Sequence, residues 1–96
     1  MLATIATIKV KDGQGAEFEK VANELVKNVN EKEKGCLLYQ LYHGEEPNTY
    51  VFMERYKDQA AIEEHRASDH YKTLGRAMGP FMDGKPALVR LKQVTG

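Results

Sequence analysis

The segment CLLYQLYH, residues 36–43, most constrains the fold, because it is apolar on both of its alternating faces. One face of this predicted strand carries two leucines and a tyrosine, and the opposite face carries a cysteine, a leucine and a tyrosine. A strand of this kind needs cover on both sides of its sheet. We therefore expect helices on one face of the sheet and a second apolar layer on the other.

One long helix is predicted between residues 14 and 32. Its apolar residues recur on a 3.6-residue period and form a single stripe that faces a core. The stripe consists of Phe18, Val21, Ala22, Leu25 and Val29. Charged residues cover the other faces, so the helix carries no functional signal of its own.

Three further segments are predicted to be strands, at residues 3–10, 49–56 and 87–94, because they are short and rich in β-branched or aromatic residues. The intervening stretch GEEPN, residues 44–48, has the composition of a turn. It is expected to join the second and third strands as a hairpin.

A second helix is predicted to be broken into two pieces. Asp58 stands in N-cap position before QAAIEEHR, and Ser68 with Asp69 offers a fresh N-cap for a segment from about His70 to Met78. The order of elements is β-α-β-β-α-β. This order predicts an α+β, ferredoxin-like fold with an antiparallel sheet.

The chain has 96 residues, which fits one domain over residues 1–96 with a thin core. The single Cys36 excludes an internal disulfide framework. We therefore expect a homodimer, in which two sheets pack face to face as a dimeric α+β barrel.

The charges are balanced, with 14 basic and 14 acidic residues interspersed along the chain. This pattern predicts neither nucleic acid nor an anionic membrane as a partner. No segment approaches the roughly 20 apolar residues of a membrane span, and no secretion signal is evident at the start. The sequence thus predicts a soluble, cytoplasmic protein.

The stretch EEHRASDHYK places His65 and His70 five positions apart. On one continuous helix the two imidazoles would point roughly 140° apart, whereas zinc-binding helices use residues i and i+4. A break at Ser68 could bring them together, but Glu64 and Asp69 would face elsewhere and leave no third ligand. We predict that the break separates the histidines and that no metal ion binds.

Glu54 is an unexpected carboxylate in the middle of a predicted strand of aromatic residues. A buried charge is unfavourable unless it is paired. One explanation is an ion pair with a cross-strand cation such as Arg90 or Lys9. The other is a functional carboxyl that orients a base or binds a ligand hydroxyl.

Three ordered motifs, GCLLY, ERY and AAIEEH, give the chain a resemblance to the antibiotic biosynthesis monooxygenase family of dimeric α+β barrels. The resemblance spans nearly the whole chain, since length and element order also agree. Lys34 stands where relatives often have proline, a change confined to a turn. The chain lacks tryptophan, so it does not resemble the haem-degrading branch.

The resemblance implies that His65 lies beside a substrate cavity and acts as a catalytic base; the alternative is a structural histidine that closes the helix stripe. Imidazole suits the task because its pKa near 6.5 allows it to accept a phenolic proton. Other residues are candidates for lining a cavity for a flat aromatic ligand, although a core or dimer interface uses the same types. These candidate substrate-binding residues are Tyr39, Tyr50, Phe52, Glu54, His70, Tyr71, Met78 and Phe81.

The resemblance implies monooxygenation of a small hydroquinone, anthrone or similar aromatic by O₂. Because no flavin, nicotinamide or nucleotide motif is present, we expect this reaction to be cofactor-independent. A second hypothesis is isomerisation of a small phosphorylated hydroxy-carbonyl, similar to the autoinducer-processing branch, with Lys72, Arg76 or Lys85 holding the phosphate. A third is a non-catalytic dimer that binds a hydrophobic small molecule.

Overall fold

The computed structural model describes residues 1–96, and all predicted elements are present. Strands β2 and β3 have the predicted bounds, whereas β4 ends two residues earlier than predicted. The elements are β1 (Leu2–Lys9), α1 (Gly15–Lys32), β2 (Cys36–His43), β3 (Thr49–Tyr56), α2 (Gln59–Ala67), α3 (Asp69–Met78), a 3₁₀ turn (Gly79–Phe81) and β4 (Ala87–Lys92).

The four strands form one sheet in the order β2-β3-β1-β4. Every neighbouring pair is antiparallel, and β2 and β3 form the predicted hairpin. The helices lie between consecutive strands of this β-α-β-β-α-β order, with the second helix divided into α2 and α3. The predicted ferredoxin-like α+β fold is therefore confirmed.

The core lies between α1 and one face of the sheet. Phe18, Ala22, Leu25 and Val29 of the predicted stripe are completely buried. They pack in one cluster with sheet residues that include Phe52. Burial of a large apolar side chain contributes about 1.5–3 kcal/mol, so the stripe anchors α1 on the sheet.

Two side-chain caps divide the second helical region where the sequence predicts. The Asp58 carboxylate accepts a hydrogen bond from the Ala61 backbone N–H at 3.0 Å. The Ser68 hydroxyl accepts one from the Tyr71 N–H at 3.2 Å, while the backbone of Ser68 is extended. The chain therefore leaves α2 at Ser68 and starts α3 in a new direction.

The second face of the sheet, opposite the helices, is apolar and uncovered. It exposes Tyr42, Met53, Val89 and Leu91, each by 38% or more. We call these four residues the open face. No helix of the chain combines the length and apolarity needed to cross a membrane.

Candidate active site

A cavity of about 340 Å³ lies between the helix-covered face of the sheet and helices α2 and α3. Its wall is mostly apolar, with a few polar and charged side chains. Small-molecule sites commonly have this character. Six of the residues predicted for the site line the cavity: Tyr39, Phe52, Glu54, His65, Tyr71 and Met78.

The other three predicted site residues do not line this cavity. The Tyr50 hydroxyl donates a hydrogen bond to the carboxylate of Glu19 on α1. Phe81 packs against the core from the 3₁₀ turn. Nε2 of His70 contacts the carboxylate of Glu33.

His65 is buried, and its ring orientation is fixed by Glu33. Nδ1 of His65 lies 3.0 Å from both carboxylate oxygens of Glu33. An ionised carboxylate only accepts hydrogen bonds, so Nδ1 carries the proton and donates it. The neutral ring therefore keeps its lone pair on Nε2.

Nε2 of His65 makes no hydrogen bond within the chain. Every fully buried side-chain nitrogen or oxygen has a hydrogen-bond partner, so Nε2 is not fully buried. Because His65 lines the cavity, we infer that Nε2 faces it. The ring of Tyr71 lies beside the imidazole, with the two centroids 4.6 Å apart.

The prediction that the helix break separates the two histidines is wrong. The break turns α3 so that Nε2 of His70 also contacts a carboxylate oxygen of Glu33, and one carboxylate joins both imidazoles. Sequence reasoning missed Glu33 entirely. One nitrogen of each ring, Nδ1 of His65 and Nε2 of His70, is directed at this carboxylate. No group of three or more His, Cys, Asp or Glu side chains is arranged to hold a metal ion.

The linker between α1 and β2 brings Glu33 to the histidines. Glu33 is the C-cap residue of α1, and two residues later Gly35 packs directly on α2. A Cβ at Gly35 would lie 2.6 Å from the Cβ of Ala61, which is too close for any other residue type. The Lys57 N–H also donates to the Gly35 carbonyl at 2.9 Å. Glycine at this position therefore allows the close approach that places Glu33 beside His65.

Burial lowers the pKa of His65 below its ordinary value of 6.5. The hydrogen bond and negative charge of Glu33 oppose this effect, because both favour the protonated ring. Burial is the largest single cause, His70 and Arg66 act in the same direction, and the pKa is lowered on balance. His65 is therefore neutral near pH 7, the state in which Nε2 can accept a proton.

Glu54 forms no ion pair, so the first of its two explanations, a pair with a cation such as Arg90 or Lys9, is wrong. The carboxylate instead accepts a hydrogen bond from the Tyr56 hydroxyl at 2.6 Å. The side chain of Lys9 lies 4.0 Å from Glu46, and Arg90 is aligned with Thr4 on the strand beyond β1. Burial raises the pKa of Glu54 to about 7, although Tyr56 lowers it.

Glu54→Gln is expected to make stability less dependent on pH between about 4.5 and 7. The folded state holds the Glu54 proton more tightly than the unfolded state, so the free energy of unfolding falls as pH rises through this window. Glutamine stays neutral and still accepts from Tyr56. The decline should lessen by an amount on the order of 1–2 kcal/mol. Denaturant unfolding at several pH values measures the free energy of unfolding. The prediction would be contradicted if this free energy fell with pH in Glu54→Gln as steeply as in the exposed control Glu64→Gln.

The fold and the cavity together define a class of protein, a small ferredoxin-like α+β domain with a mostly apolar cavity beside a buried histidine. The sequence profile of the family "Antibiotic biosynthesis monooxygenase" matches residues 1–77. The chain therefore belongs to the antibiotic biosynthesis monooxygenase family. This membership supports a monooxygenase-like role.

Individual relatives agree with this assignment. YcnE of Bacillus subtilis strain 168, a candidate monooxygenase, is 38% identical over 74 residues, covering 75% of this chain and 76% of YcnE. The crystal structure of a candidate antibiotic biosynthesis monooxygenase from Caulobacter crescentus superposes with a TM-score of 0.95 at 39% identity, covering 98% of this chain and 90% of that one. Rv0793 of Mycobacterium tuberculosis has a TM-score of 0.90 at 24% identity, covering 99% of this chain and 96% of Rv0793, and so shares the fold.

Proposed function

We propose that this protein catalyses cofactor-independent monooxygenation of a small electron-rich aromatic, a hydroquinone or an anthrone, with His65 as the base. One observation carries the proposal. Nδ1 of the buried His65 lies 3.0 Å from both carboxylate oxygens of Glu33, and His65 lines a mostly apolar cavity. We infer that Nδ1 carries the proton and that the unprotonated Nε2 faces the cavity. This arrangement suits a base that removes a proton from a ligand shielded from water.

In the proposed reaction Nε2 of His65 accepts the proton of a substrate hydroxyl or enol. The anion that forms transfers an electron to O₂, the two radicals combine at a ring carbon, and the O–O bond then breaks. For an anthrone, CH₂ becomes C=O and the two hydrogens leave in one water molecule. The substrate supplies the electrons, and one oxygen atom of O₂ enters the product.

Glu33 and Glu54 have different proposed tasks. Glu33 fixes the tautomer of His65 and stabilises the imidazolium that forms when the proton is transferred. Glu54 lines the cavity and holds a proton over part of the neutral range, because its pKa is raised to about 7. It is suited to a hydrogen bond with a second oxygen of the substrate.

Oxygen uptake by purified, metal-depleted protein tests the proposal. Hydroquinones and anthrones should drive substrate-dependent O₂ consumption, and ¹⁸O₂ should label the product with one atom. Turnover of a phosphorylated hydroxy-carbonyl without O₂ would instead support the isomerase hypothesis. Ligand-induced thermal stabilisation without turnover of any candidate would support a binding protein.

We also propose that a second copy of the chain covers the open face, which gives a dimeric α+β barrel. Wild-type protein should sediment at about twice the chain mass of 10.9 kDa. Met53→Lys should shift it to the monomer, because the ammonium group would be buried without a partner. The control Glu24→Lys, on an exposed side of α1, should stay dimeric. A monomeric wild type at micromolar concentration would contradict the dimer.

A further inference from the structure

Three cations line the cavity and form no ion pair, although the positive charge of Arg66 acts on Glu54 and lowers its pKa. Arg66 at the end of α2 and Lys72 and Arg76 on α3 all line the cavity. Every ion pair of the chain involves other residues. We call these three residues, together with Gly75, the cationic mouth.

The charge of the cationic mouth is local. The whole chain has a formal net charge of zero, yet Glu54 is the one carboxylate that lines the cavity. The Glu54 carboxyl lies within hydrogen-bond reach of Tyr56, and no Lys or Arg nitrogen comes within 4.0 Å of it. The cavity therefore combines an apolar interior with an excess of positive charge. Lys72 and Arg76 are four residues apart on α3 and so share one helix face.

Gly75 leaves an opening between the two cations of α3. It lines the cavity, and a Cβ added there would meet no atom within 4 Å. Its φ angle is not positive, so neither packing nor backbone conformation requires glycine. Glycine inside a helix lowers stability relative to alanine. We infer that Gly75 instead leaves free space at the edge of the cavity.

We propose that the cationic mouth binds an anionic substituent, a carboxylate or a phosphate ester, on the substrate whose ring occupies the cavity. Guanidinium and ammonium groups bind such anions by charge-assisted hydrogen bonds, which strengthen where water is partly excluded. The ring would then lie toward His65 and the anion toward α3. This placement rests on the proposed function for the identity of the ring, whereas anion recognition does not depend on the reaction.

Anaerobic binding of matched ligands tests the inference without turnover. Calorimetry compares 2,5-dihydroxybenzoate with its neutral methyl ester, and phenyl phosphate with phenol, which separates the two kinds of anion. At least one anion should bind about tenfold more tightly than its neutral partner. Lys72→Met/Arg76→Met should remove this preference. The control Lys20→Met/Lys27→Met makes the same change in net charge on exposed parts of α1 and should retain it.

The inference would be overturned by any of three results. The anions could bind no more tightly than their neutral partners, neither anion could bind detectably, or the preference could survive in Lys72→Met/Arg76→Met. This anaerobic binding experiment does not depend on oxygen uptake. An anion preference in a protein that consumes no O₂ would therefore contradict the proposed function alone.

Gly75→Ala tests the opening separately. The variant should be at least as resistant to thermal unfolding as wild type, because alanine favours the helix and no atom opposes its Cβ. It should bind the preferred anion several-fold more weakly. Unchanged anion affinity would remove Gly75 from the cationic mouth.

Discussion

His65→Asn is expected to lower kcat/KM for O₂-dependent turnover by roughly 10²- to 10⁴-fold, the usual contribution of a positioned general base. Asparagine keeps an N–H donor for Glu33 and removes the nitrogen that opens into the cavity. The loss should therefore appear with little change in the thermal midpoint or in ligand affinity. Oxygen-electrode rates with one hydroquinone or anthrone provide the measurement.

A matched substitution at the other histidine separates catalysis from support of Glu33. His70→Asn removes the second contact to Glu33 and leaves Nε2 of His65 in place. We expect it to retain most of the activity. If His65→Asn turned over substrate as fast as wild type, His65 would not be the base.

Glu33→Gln is expected to lower kcat/KM by roughly 10- to 100-fold. It should also move the acidic limb of the pH–rate profile, where kcat/KM rises with pH, to lower pH. The base form of His65 is active, so the rate rises with pH through the His65 pKa. Burial already places that pKa below 6.5, and Glu33 raises it. Removing the negative charge of Glu33 therefore lowers the pKa further, and the limb follows it.

A pH–rate profile distinguishes this effect from a general loss of structure. A misfolded fraction would scale the whole profile without displacing the limb. Glu31→Gln, a neutralised carboxylate on the exposed side of α1, should leave both the rate and the limb unchanged. A Glu33→Gln profile that keeps the wild-type limb would exclude Glu33 as the positioning residue.

The elements of this fold follow closely from local patterns. The period of the Phe18–Val29 stripe, the turn residues around the hairpin and the capping side chain of Ser68 each act over a few residues, and the structure uses all three. Such signals depend on backbone geometry that is set locally. They were therefore sufficient to predict the order of elements.

The partner of the histidines does not follow from local patterns. Glu33 lies in the charged stretch EKEKG, where the sequence alone does not distinguish it from Glu31. Its role depends on the approach of the α1–β2 linker to α2, a contact across 32 positions of sequence. One weak signal was available, because a carboxylate at the C-terminus of a helix is disfavoured by the helix dipole.

The cavity was predicted only in part, for a similar reason. The alternation along β3 places Phe52 and Glu54 on the same face of the strand, and both line the cavity. Tyr50 shares that face but lies farther along the strand, beneath α1, where it meets Phe18. Alternation gives the face of a residue but not its distance from an opening between helices. Lys85, suggested for phosphate binding, lies outside the cavity lining, whereas Lys72 and Arg76 are part of it.

The proposed role of His65 depends on which ring nitrogen carries its proton. Nitrogen-15 NMR of histidine-labelled protein near neutral pH measures this directly, since protonated and unprotonated ring nitrogens have well-separated shifts. Nδ1 of His65 should be protonated and Nε2 unprotonated, and in Glu33→Gln this preference should weaken. A proton on Nε2 with an unprotonated Nδ1 would contradict the assignment of His65 as the base.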